Sequence, residues 1–291
     1  MINFVGRKNI FFIASLAVIL AGVIAFFIFG GLNLDLDFKG GTSIRLNISA
    51  EYTDEDIKAI VSEVTGSDSI QIVKAGNEVD IRTLELSTEK RDQIVDKIIE
   101  KYKLDQSALL EATNISASAS TQLIYNAFQA IGWAVLFMLI YITIRFDFKS
   151  GIAAILGLVH NILVMLSVYA IFQIRINSSF IAAILTIVGY SINDTIVIFD
   201  KIRENAKRSS ANKFPEVANV SLNQSLTRTL NTSLTTLITI LTLYLLGVDS
   251  IREFSLPIII GVIVGTYSSI CIATPLWSIF KGIRLGKKAS K

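Results

Sequence analysis

The chain has 291 residues, of which 52% are hydrophobic and only 18% are charged, and its mean hydropathy is +0.58. This composition is far more apolar than that of an ordinary soluble domain, so the sequence predicts a membrane protein. The formal net charge is +3, and the Lys and Arg residues stand beside alternate ends of hydrophobic segments rather than on one basic face. Their placement indicates orientation in a bilayer and gives no support for nucleic-acid binding.

The first hydrophobic segment, residues 10–29, is long enough to cross a hydrocarbon core of about 30 Å. Because Arg7 and Lys8 precede it, a cleaved signal peptide is the alternative. Its apolar run is longer than the usual signal-peptide core of about 7 to 15 residues. We therefore expect residues 1–33 to form the N terminus and an uncleaved first span.

Residues 34–121 regain ordinary polarity and predict a small water-soluble domain. The predicted elements are a strand at 43–48, a helix capped by Thr53 and ending near Val64, strands at 69–73 and 78–83 joined around Gly76, a helix at 88–102 and a strand at 110–116. The order β-α-β-β-α-β is that of a ferredoxin-like α+β fold. The sequence of this domain has no cluster with metal-ligand or catalytic spacing. We therefore expect a binding or mechanical role, with no enzymatic activity, metal or cofactor.

The remainder, residues 122–291, predicts five further spans and a C-terminal tail. The spans cover 123–144, 152–172, 180–199, 226–246 and 256–280, with a small-residue connector at 116–120 and a polar loop at 200–225. Nearly all loop Lys and Arg then lie on the side of the N terminus and the tail. The positive-inside rule therefore places both termini in the cytoplasm and residues 34–121 outside it. The predicted fold class is an α-helical polytopic membrane protein with six transmembrane helices and a small α+β extracytoplasmic domain.

The fourth span contains a carboxylate, Asp194, about six residues or about 9 Å of helix before the charged exit at Asp200 and Lys201. An ionisable group inside a span costs roughly 2.5 to 3.5 kcal/mol on insertion scales and commonly marks an ion or proton path. The alternative is a polar residue that only joins helices. We interpret Asp194 as a candidate ion-coupling residue. Tyr190 and Asn193 on the same helix either serve a proton path or line a helix contact.

The fifth span begins with Arg228, which opens a stripe of polar residues spaced three and four apart. The members of this polar stripe are Arg228, Asn231, Thr232, Thr235, Thr236, Thr239 and Thr242. Such a stripe is expected to face another helix rather than lipid. Arg228 and Asp194 lie at similar predicted depths, so we expect an ion pair, with snorkelling of Arg228 to the headgroups as the alternative. Because arginine keeps its proton, approach would hold the carboxylate ionised, and separation in a dry bundle would favour proton uptake.

Three further features of the spans have structural interpretations. The single histidine, His160, is mid-span beside Asn161, and an interhelical hydrogen bond is expected rather than a metal site. The single cysteine, Cys271, has no partner for a disulfide and is expected to be a small buried thiol. Small residues recur every four positions on the sixth span, which favours close helix packing: Gly261, Gly265, Ser269 and Ala273.

Two motifs carry a family resemblance, together with the region from Arg228 to Thr236. One reads Gly-Tyr-Ser-Ile-Asn-Asp-Thr at 189–195 and, two residues later, Ile-Phe-Asp-Lys-Ile-Arg-Glu-Asn at 198–205; the other is Asp-Phe-Lys-Gly-Gly at 37–41. They closely resemble the signature of the SecF family, subunits of bacterial protein-export machinery, and the Asp-Phe-x-Gly-Gly motif shared by SecD and SecF. The motif residues are Asp37, Phe38, Gly40, Gly41, Gly189, Asp200 and Arg203.

The resemblance implies a subunit of the bacterial cytoplasmic (inner) membrane. With SecD it would use the proton or sodium gradient to assist translocation of preproteins through SecYEG. The resemblance also implies that Asp194 and Arg228 serve this coupling, and that the architecture is that of the resistance-nodulation-division superfamily. Two six-span halves pack together in that superfamily, so SecD is the implied second half, and YajC is a further implied associate.

Two other functional classes stand beside this one. A small-molecule or lipid exporter of the same superfamily is the first, although such chains normally carry two halves and larger outer domains. A scaffold without energy coupling is the second, but a carboxylate such as Asp194 inside a span would be expensive and without purpose there.

Overall fold

The computed structural model describes residues 1–48, 51–68, 70–75, 77–208 and 214–282. The helices are α1 (Lys8–Ile28), α2 (Leu36–Lys39), α3 (Asp54–Thr65), α4 (Thr88–Tyr102), α5 (Ala117–Arg145), α6 (Phe148–Phe172), α7 (Ser178–Arg208), α8 (Phe214–Leu246), α9 (Asp249–Ser268) and α10 (Thr274–Gly282). The strands are β1 (Gly41–Asn47), β2 (Gln71–Ala75), β3 (Glu78–Thr83) and β4 (Leu109–Ile115). Two compact units divide the chain: a membrane unit of residues 1–33 and 128–291, and a sheet unit of residues 34–127.

The sheet unit contains a four-stranded antiparallel sheet in the order β2-β3-β1-β4. Helix α3 connects β1 to β2 and α4 connects β3 to β4, which is the split β-α-β topology of the ferredoxin-like fold. The predicted fold class is therefore confirmed for this unit. Gly76 at the predicted hairpin turn and Ser69 at the predicted start of the second strand lie outside the described residues.

The core of the sheet unit is formed by the apolar residues that alternate along its strands and recur every three or four residues along its helices. Alternate strand residues such as Ile44, Leu46 and Ile81 are buried against Ile57 of α3 and Ile94 of α4. Side-chain caps fix the start of both helices, because the Thr53 hydroxyl accepts from the Asp56 amide and the Ser87 hydroxyl accepts from the Lys90 amide.

Six described segments are long and apolar enough to cross a membrane: α1, α5, α6, α7, α8 and the continuous segment Ser250–Lys281. The prediction of six spans is confirmed. Helices α6, α7 and α9 contribute most of the buried residues, whereas α5 is largely exposed. The last span is not one regular helix, because a π-helical turn over Ser269–Ala273 joins α9 to α10.

Two predicted connections are wrong. Residues 117–120 of the expected connector are helical, because the Ser116 hydroxyl accepts a hydrogen bond from the Ala119 amide and starts α5 at Ala117. The expected loop at 200–225 is mostly helix, since α7 continues to Arg208 and α8 begins at Phe214. The predicted basic tail beyond residue 282 lies outside the described residues.

The polar extensions of α7 and α8 are helical because they contact each other. The side-chain amide of Asn205 donates to Ser221 Oγ at 2.8 Å and to Gln224 Oε1 at 2.9 Å. These hydrogen bonds accompany the burial of apolar Ile202 and Leu222 in the same extensions, and the hydrophobic pattern alone does not reveal them.

Candidate ion-coupling site

Asp194 lies on the inward face of α7 and is only 2% exposed. Ser191, Thr195 and Ile198 are buried beside it, at the spacing of three and four residues that defines one helix face. This face of α7 therefore places the Asp194 carboxyl group in the packed interior of the membrane unit.

The Asp194 carboxyl is held by a hydroxyl from α8. Ser233 Oγ donates to Asp194 Oδ2 at 3.3 Å and lies 2.6 Å from Thr266 Oγ1 of α9. The same Ser233 oxygen is 3.0 Å from the Thr229 carbonyl, one turn back in α8. A serine hydroxyl has one proton, so it donates to the carboxylate or to the carbonyl, not to both at once. Ser233 can therefore change its donor direction when Asp194 changes its charge.

A second group of polar contacts joins α6, α7 and the π-helical turn near this carboxyl. Asn161 Nδ2 donates to Ser191 Oγ at 2.8 Å, and Thr195 Oγ1 lies 2.8 Å from Ser269 Oγ. π-Helical turns inside α-helices often occur at functional sites. This turn adds a hydroxyl contact to α7 at Thr195, the residue next to Asp194.

The neighbouring histidine is buried in the same unit. His160 Nδ1 lies 3.5 Å from Asn161 Oδ1, and the His160 ring is 6.0 Å from that of Tyr267. Among the described residues, His160 Nε2 and Thr229 Oγ1 are buried without a hydrogen-bond partner. No group of three or more metal-ligating side chains occurs in the described residues.

Arg228 does not pair with Asp194 in this structure, so the expected contact is absent. Within the described chain, Arg228 makes no ion pair, and its side chain is on the exposed face of α8. The reason is helical geometry: Arg228 precedes Ser233 by five residues, which turns it about 140° away on the helix. Once Ser233 faces Asp194, Arg228 faces outward.

Most other members of the polar stripe lie, like Arg228, on the outer surface of α8. Asn231, Thr235, Thr239 and Thr242 are exposed, while Thr232 and Thr236 are half-buried. The Tyr190 hydroxyl lies 3.1 Å from both the Thr232 carbonyl and Thr236 Oγ1, so it joins α7 to the edge of this stripe.

Asn193 is exposed and lines a groove between α5 and α7 with Phe137 and Tyr141. Among the described residues, the side chains of Asn193 and Tyr190 make no hydrogen bond to Asp194. The sequence interpretation missed Ser233, whose hydroxyl contacts Asp194, and Thr266, whose hydroxyl contacts Ser233. The pair Thr229 and Ser233, four residues apart and off the polar stripe, was the signal that could have identified that face of α8.

The residues of the Asp-Phe-x-Gly-Gly motif form a helix-to-strand turn in the sheet unit. Asp37 and Phe38 lie in the one-turn helix α2, which the Gly40 amide closes on the Leu36 carbonyl at 2.7 Å. Gly40 and Gly41 have φ angles of 75° and 135°, which glycine adopts without the steric strain that a Cβ would cause. A Cβ on Gly41 would lie 2.4 Å from the Thr83 carbonyl oxygen of β3.

The remaining motif residues lie along α7. Gly189 faces the groove that also contains Asn193. Asp200 Oδ1 pairs with the Arg145 guanidinium at 3.0 Å, and Arg203 donates to the Arg145 carbonyl at 2.8 Å. These two residues fasten the end of α5 to α7.

Six membrane spans, a ferredoxin-like domain between the first two along the chain, and a carboxyl buried among hydroxyl groups define a polytopic membrane protein of the transport type. The chain belongs to the SecD/SecF family, because residues 94–282 match the family described as protein export membrane protein SecD/SecF, C-terminal.

Similar proteins support this assignment over the whole chain. The protein translocase subunit SecF of Petrotoga mobilis is 35% identical over 302 residues, covering 100% of this chain and 99% of the relative. The protein translocase subunit SecDF of Bacillus subtilis is 34% identical, covering 99% of this chain but 39% of that longer relative. The crystal structure of SecDF from Thermus thermophilus superposes with a TM-score of 0.86 at 33% identity, covering 97% of this chain and 39% of that chain.

Proposed function

We propose that this protein is a subunit of the Sec protein-export machinery in which the protonation of Asp194 couples an ion gradient to preprotein translocation. The family and its full-length relatives, which are protein translocase subunits, support the export role. The observation that carries the coupling role is a carboxyl only 2% exposed in a membrane bundle and contacted by a hydroxyl rather than a cation in the described structure. The relatives have a transport role, and we propose no enzymatic activity.

The coupling between protonation and helix position follows because an unpaired charge in an apolar interior is energetically unfavourable. A buried carboxylate either finds a cation or takes up a proton. Arg228 is the nearest basic residue along α8, and it reaches Asp194 only when α8 changes its packing on α7. The protonation of Asp194 and the position of α8 are therefore linked. A charge moved through the membrane potential supplies about 2.3 kcal/mol per 100 mV, which is comparable to the preference between two helix arrangements.

The outward polar stripe supports a second membrane half as the partner. Arg228 and Asn231 are exposed on a helix that spans the membrane, and such groups are expensive against lipid. This chain corresponds to 39% of the length of the SecDF relative. We propose that a SecD half covers this stripe and that the assembly acts on secreted preproteins at SecYEG, with YajC as an associate.

The orientation in this proposal follows the distribution of basic residues. The protein spans the bacterial cytoplasmic membrane. Both termini face the cytoplasm, and the domain at 34–121 is extracytoplasmic. Movement of α8 would then be transmitted to that domain, where an emerging preprotein could be held. A proton is the proposed ion, and sodium is the alternative that the experiment separates.

The experiment measures preprotein translocation into inverted vesicles that contain this chain and its SecD partner, with ATP saturating and the proton gradient switched on or off. Asp194→Asn is expected to remove the stimulation by the gradient and to leave the ATP-driven rate unchanged. Asp200→Asn is the matched control, because it removes a carboxylate six residues away on the same helix that pairs with Arg145. Its gradient stimulation is expected to persist.

Three results would change the proposal. If Asp194→Asn responds to the gradient as the wild type does, Asp194 has a structural role only. If the wild type responds to a sodium gradient and not to protons, the ion is sodium. If the wild type responds to neither gradient, the coupling role is wrong, although membership of the export family is unaffected.

A further inference from the structure

A basic pocket lies at the end of the membrane unit where α5 ends and α6 begins. It has a volume of about 260 Å³, and we call it the basic-aromatic pocket; its eight lining residues are Phe146, Asp147, Arg203, Ala206, Lys207, Phe214, Trp277 and Lys281. They come from α7, α8, α10 and the short connection between α5 and α6. The ion-coupling proposal uses none of this pocket.

The pocket carries an excess of positive charge. Its three cations face one carboxylate, Asp147, which pairs with Lys281 at 2.8 Å. Burial alone would raise the pKa of Asp147, but the hydrogen bonds from Lys281 and the Ser150 amide outweigh it and hold that pKa below its ordinary value. Asp147 therefore stays ionised and neutralises one of the three cations.

The other two cations retain binding capacity. Arg203 uses one guanidinium N–H on the Arg145 carbonyl, at 2.8 Å, and has five N–H groups in total. Lys207 is exposed and makes no hydrogen bond or ion pair among the described residues. A planar guanidinium beside an ammonium group is well suited to phosphate oxygens.

Aromatic rings form the inner wall of the pocket. Trp277 packs 5.4 Å from Phe214 and 4.4 Å from Phe199, measured between ring centroids, and Phe199 lies 6.1 Å from Phe146. Trp277 is 3% exposed, and its indole N–H has no acceptor in the described structure. Aromatic residues that combine an apolar ring with a polar group are typical of the membrane–water interface.

The depth of the pocket matches the lipid headgroups. The apolar run of α7 ends at Phe199, and Arg203 follows four residues later, about 6 Å along the helix. A bilayer has about 30 Å of hydrocarbon within a total thickness of about 40 to 45 Å, so each headgroup layer is about 5 to 8 Å deep. With Phe199 at the edge of the hydrocarbon, Arg203 is at headgroup level, and Lys207, about 12 Å from Phe199 along the helix, lies on the water side of it.

We propose that the basic-aromatic pocket binds the phosphate group of an anionic phospholipid. Basic pockets between membrane helices are suited to such headgroups. The volume is below the range of roughly 300 to 1,000 Å³ that holds drug-sized ligands, which favours a small headgroup. Free phosphate has the same chemistry, but the aromatic wall and the headgroup depth favour the lipid. A bound lipid would hold α7 and α10 together at this end of the bundle.

The test uses the fluorescence of Trp277 in the full-length protein. The chain has two tryptophans, and Trp133→Phe removes the other, which is 56% exposed on α5. The purified variant in zwitterionic detergent is titrated with short-chain phosphatidylglycerol, short-chain phosphatidylcholine or inorganic phosphate. Phosphatidylglycerol is expected to shift the emission in a saturable way, while phosphatidylcholine has no such effect.

A charge-matched pair of variants tests the location. In the Trp133→Phe background, Lys207→Gln is expected to weaken the apparent affinity about fivefold, the effect of one basic residue near a lipid surface. Arg208→Gln removes the same charge from the next residue, which pairs with Glu204 at 3.6 Å and does not line the pocket. It is expected to bind phosphatidylglycerol as the parent does.

Each result decides the proposal. Equal affinities of the two charge variants, or equal responses to the two lipids, would overturn it. Saturation by phosphatidylglycerol but not by inorganic phosphate would assign the pocket to a lipid headgroup. Saturation by inorganic phosphate at the same concentration would overturn the lipid assignment and identify the ligand as the free ion.

Discussion

Ser233 on α8 donates a hydrogen bond to Asp194 on α7 at 3.3 Å, and this contact joins the two helices at the buried carboxyl. Ser233 also lies 2.6 Å from Thr266 Oγ1 and 3.0 Å from the Thr229 carbonyl. Because its one proton has several acceptors in reach, Ser233 can stabilise the charged carboxylate and then release it without moving the backbone.

Ser233→Ala is therefore expected to reduce the gradient-stimulated part of translocation about tenfold. The variant removes a hydrogen bond to a group that changes its charge, and such bonds contribute about 1.5 to 3 kcal/mol. The measurement is the difference in translocation rate with the gradient on and off. The ATP-driven rate without a gradient is expected to be unchanged.

Ser225→Ala is the control for this prediction. Ser225 is buried on α8 two turns before Ser233, and within the described part of the chain its hydroxyl donates only to the Ser221 carbonyl of its own helix, at 3.0 Å. The substitution removes the same atoms without touching Asp194. Equal losses in the two variants would show that any buried hydroxyl of α8 matters and that Ser233 has no particular link to Asp194.

The sequence predicts most of the fold because the hydrophobic periods are strong. Helix α4 was expected at 88–102 and occurs at Thr88–Tyr102, where the Ser87 cap and the buried Ile94 and Ile98 agree. The polar contacts between helices are harder to predict. Asn205, Ser221 and Gln224 extend α7 and α8 into a region that reads as a loop, because the hydrogen bonds that stabilise it join residues far apart in the chain.

The candidate site was predicted only in part for the same reason. A carboxylate inside an apolar run identifies Asp194 from local sequence alone. The partner of that carboxylate depends on the rotation of α8, which places Ser233 inward and Arg228 outward. Depth along two spans can be estimated from sequence, but rotation about a helix axis depends on packing against every neighbour.

Gly265→Ala is expected to lower gradient-stimulated translocation severalfold without unfolding the protein. A Cβ at this position would lie 3.1 Å from Ser191 Cβ and 3.2 Å from Ser191 Oγ. Ser191 is held in place because its hydroxyl accepts a hydrogen bond from Asn161 at 2.8 Å. The added methyl group would therefore push α7 and α9 apart beside Asp194. The measurement is the same gradient-dependent rate, with thermal stability measured in parallel.

Gly132→Ala is the matched comparison, since a Cβ there has nothing within 4 Å in the described structure. It is expected to leave both the rate and the stability unchanged. A Gly265→Ala protein with wild-type coupling would show that the close approach of α9 to α7 is not needed for function.

Arg82→Gln is expected to destabilise the sheet unit by about 3 kcal/mol. Arg82 pairs with Asp35 and, at 2.7 Å, with Asp80, and the three side chains are only 10% to 13% exposed. Removing the Arg82 guanidinium leaves the nearly buried carboxylates of Asp35 and Asp80 without their cation. Removing one partner of a buried ion pair typically costs about 3 to 5 kcal/mol. Hydrogen exchange of the β3 amides in the full chain, measured against denaturant, reports the change.

Arg45→Gln provides the contrast on the adjacent strand. Arg45 and Glu111 are 3.9 Å apart and their side chains are 35% and 60% exposed, so this surface pair is expected to contribute less than about 1 kcal/mol. Similar losses in the two variants would show that burial does not determine the importance of the Arg82 cluster.

Gly41→Ala is expected to lower the hydrogen-exchange protection of β1 and β3 at least tenfold. Gly41 has a φ angle of 135°, and the added Cβ would lie 2.4 Å from the Thr83 carbonyl oxygen, a backbone atom that cannot turn aside. Strain of this kind costs on the order of 1 to 3 kcal/mol. Gly66→Ala is the control within the same unit, because Gly66 also has a positive φ, 71°, but has open space around the new Cβ. Its effect on β1 and β3 is expected to be small, and equal effects of the two variants would mean that backbone angle alone, not contact with β3, requires glycine in the motif.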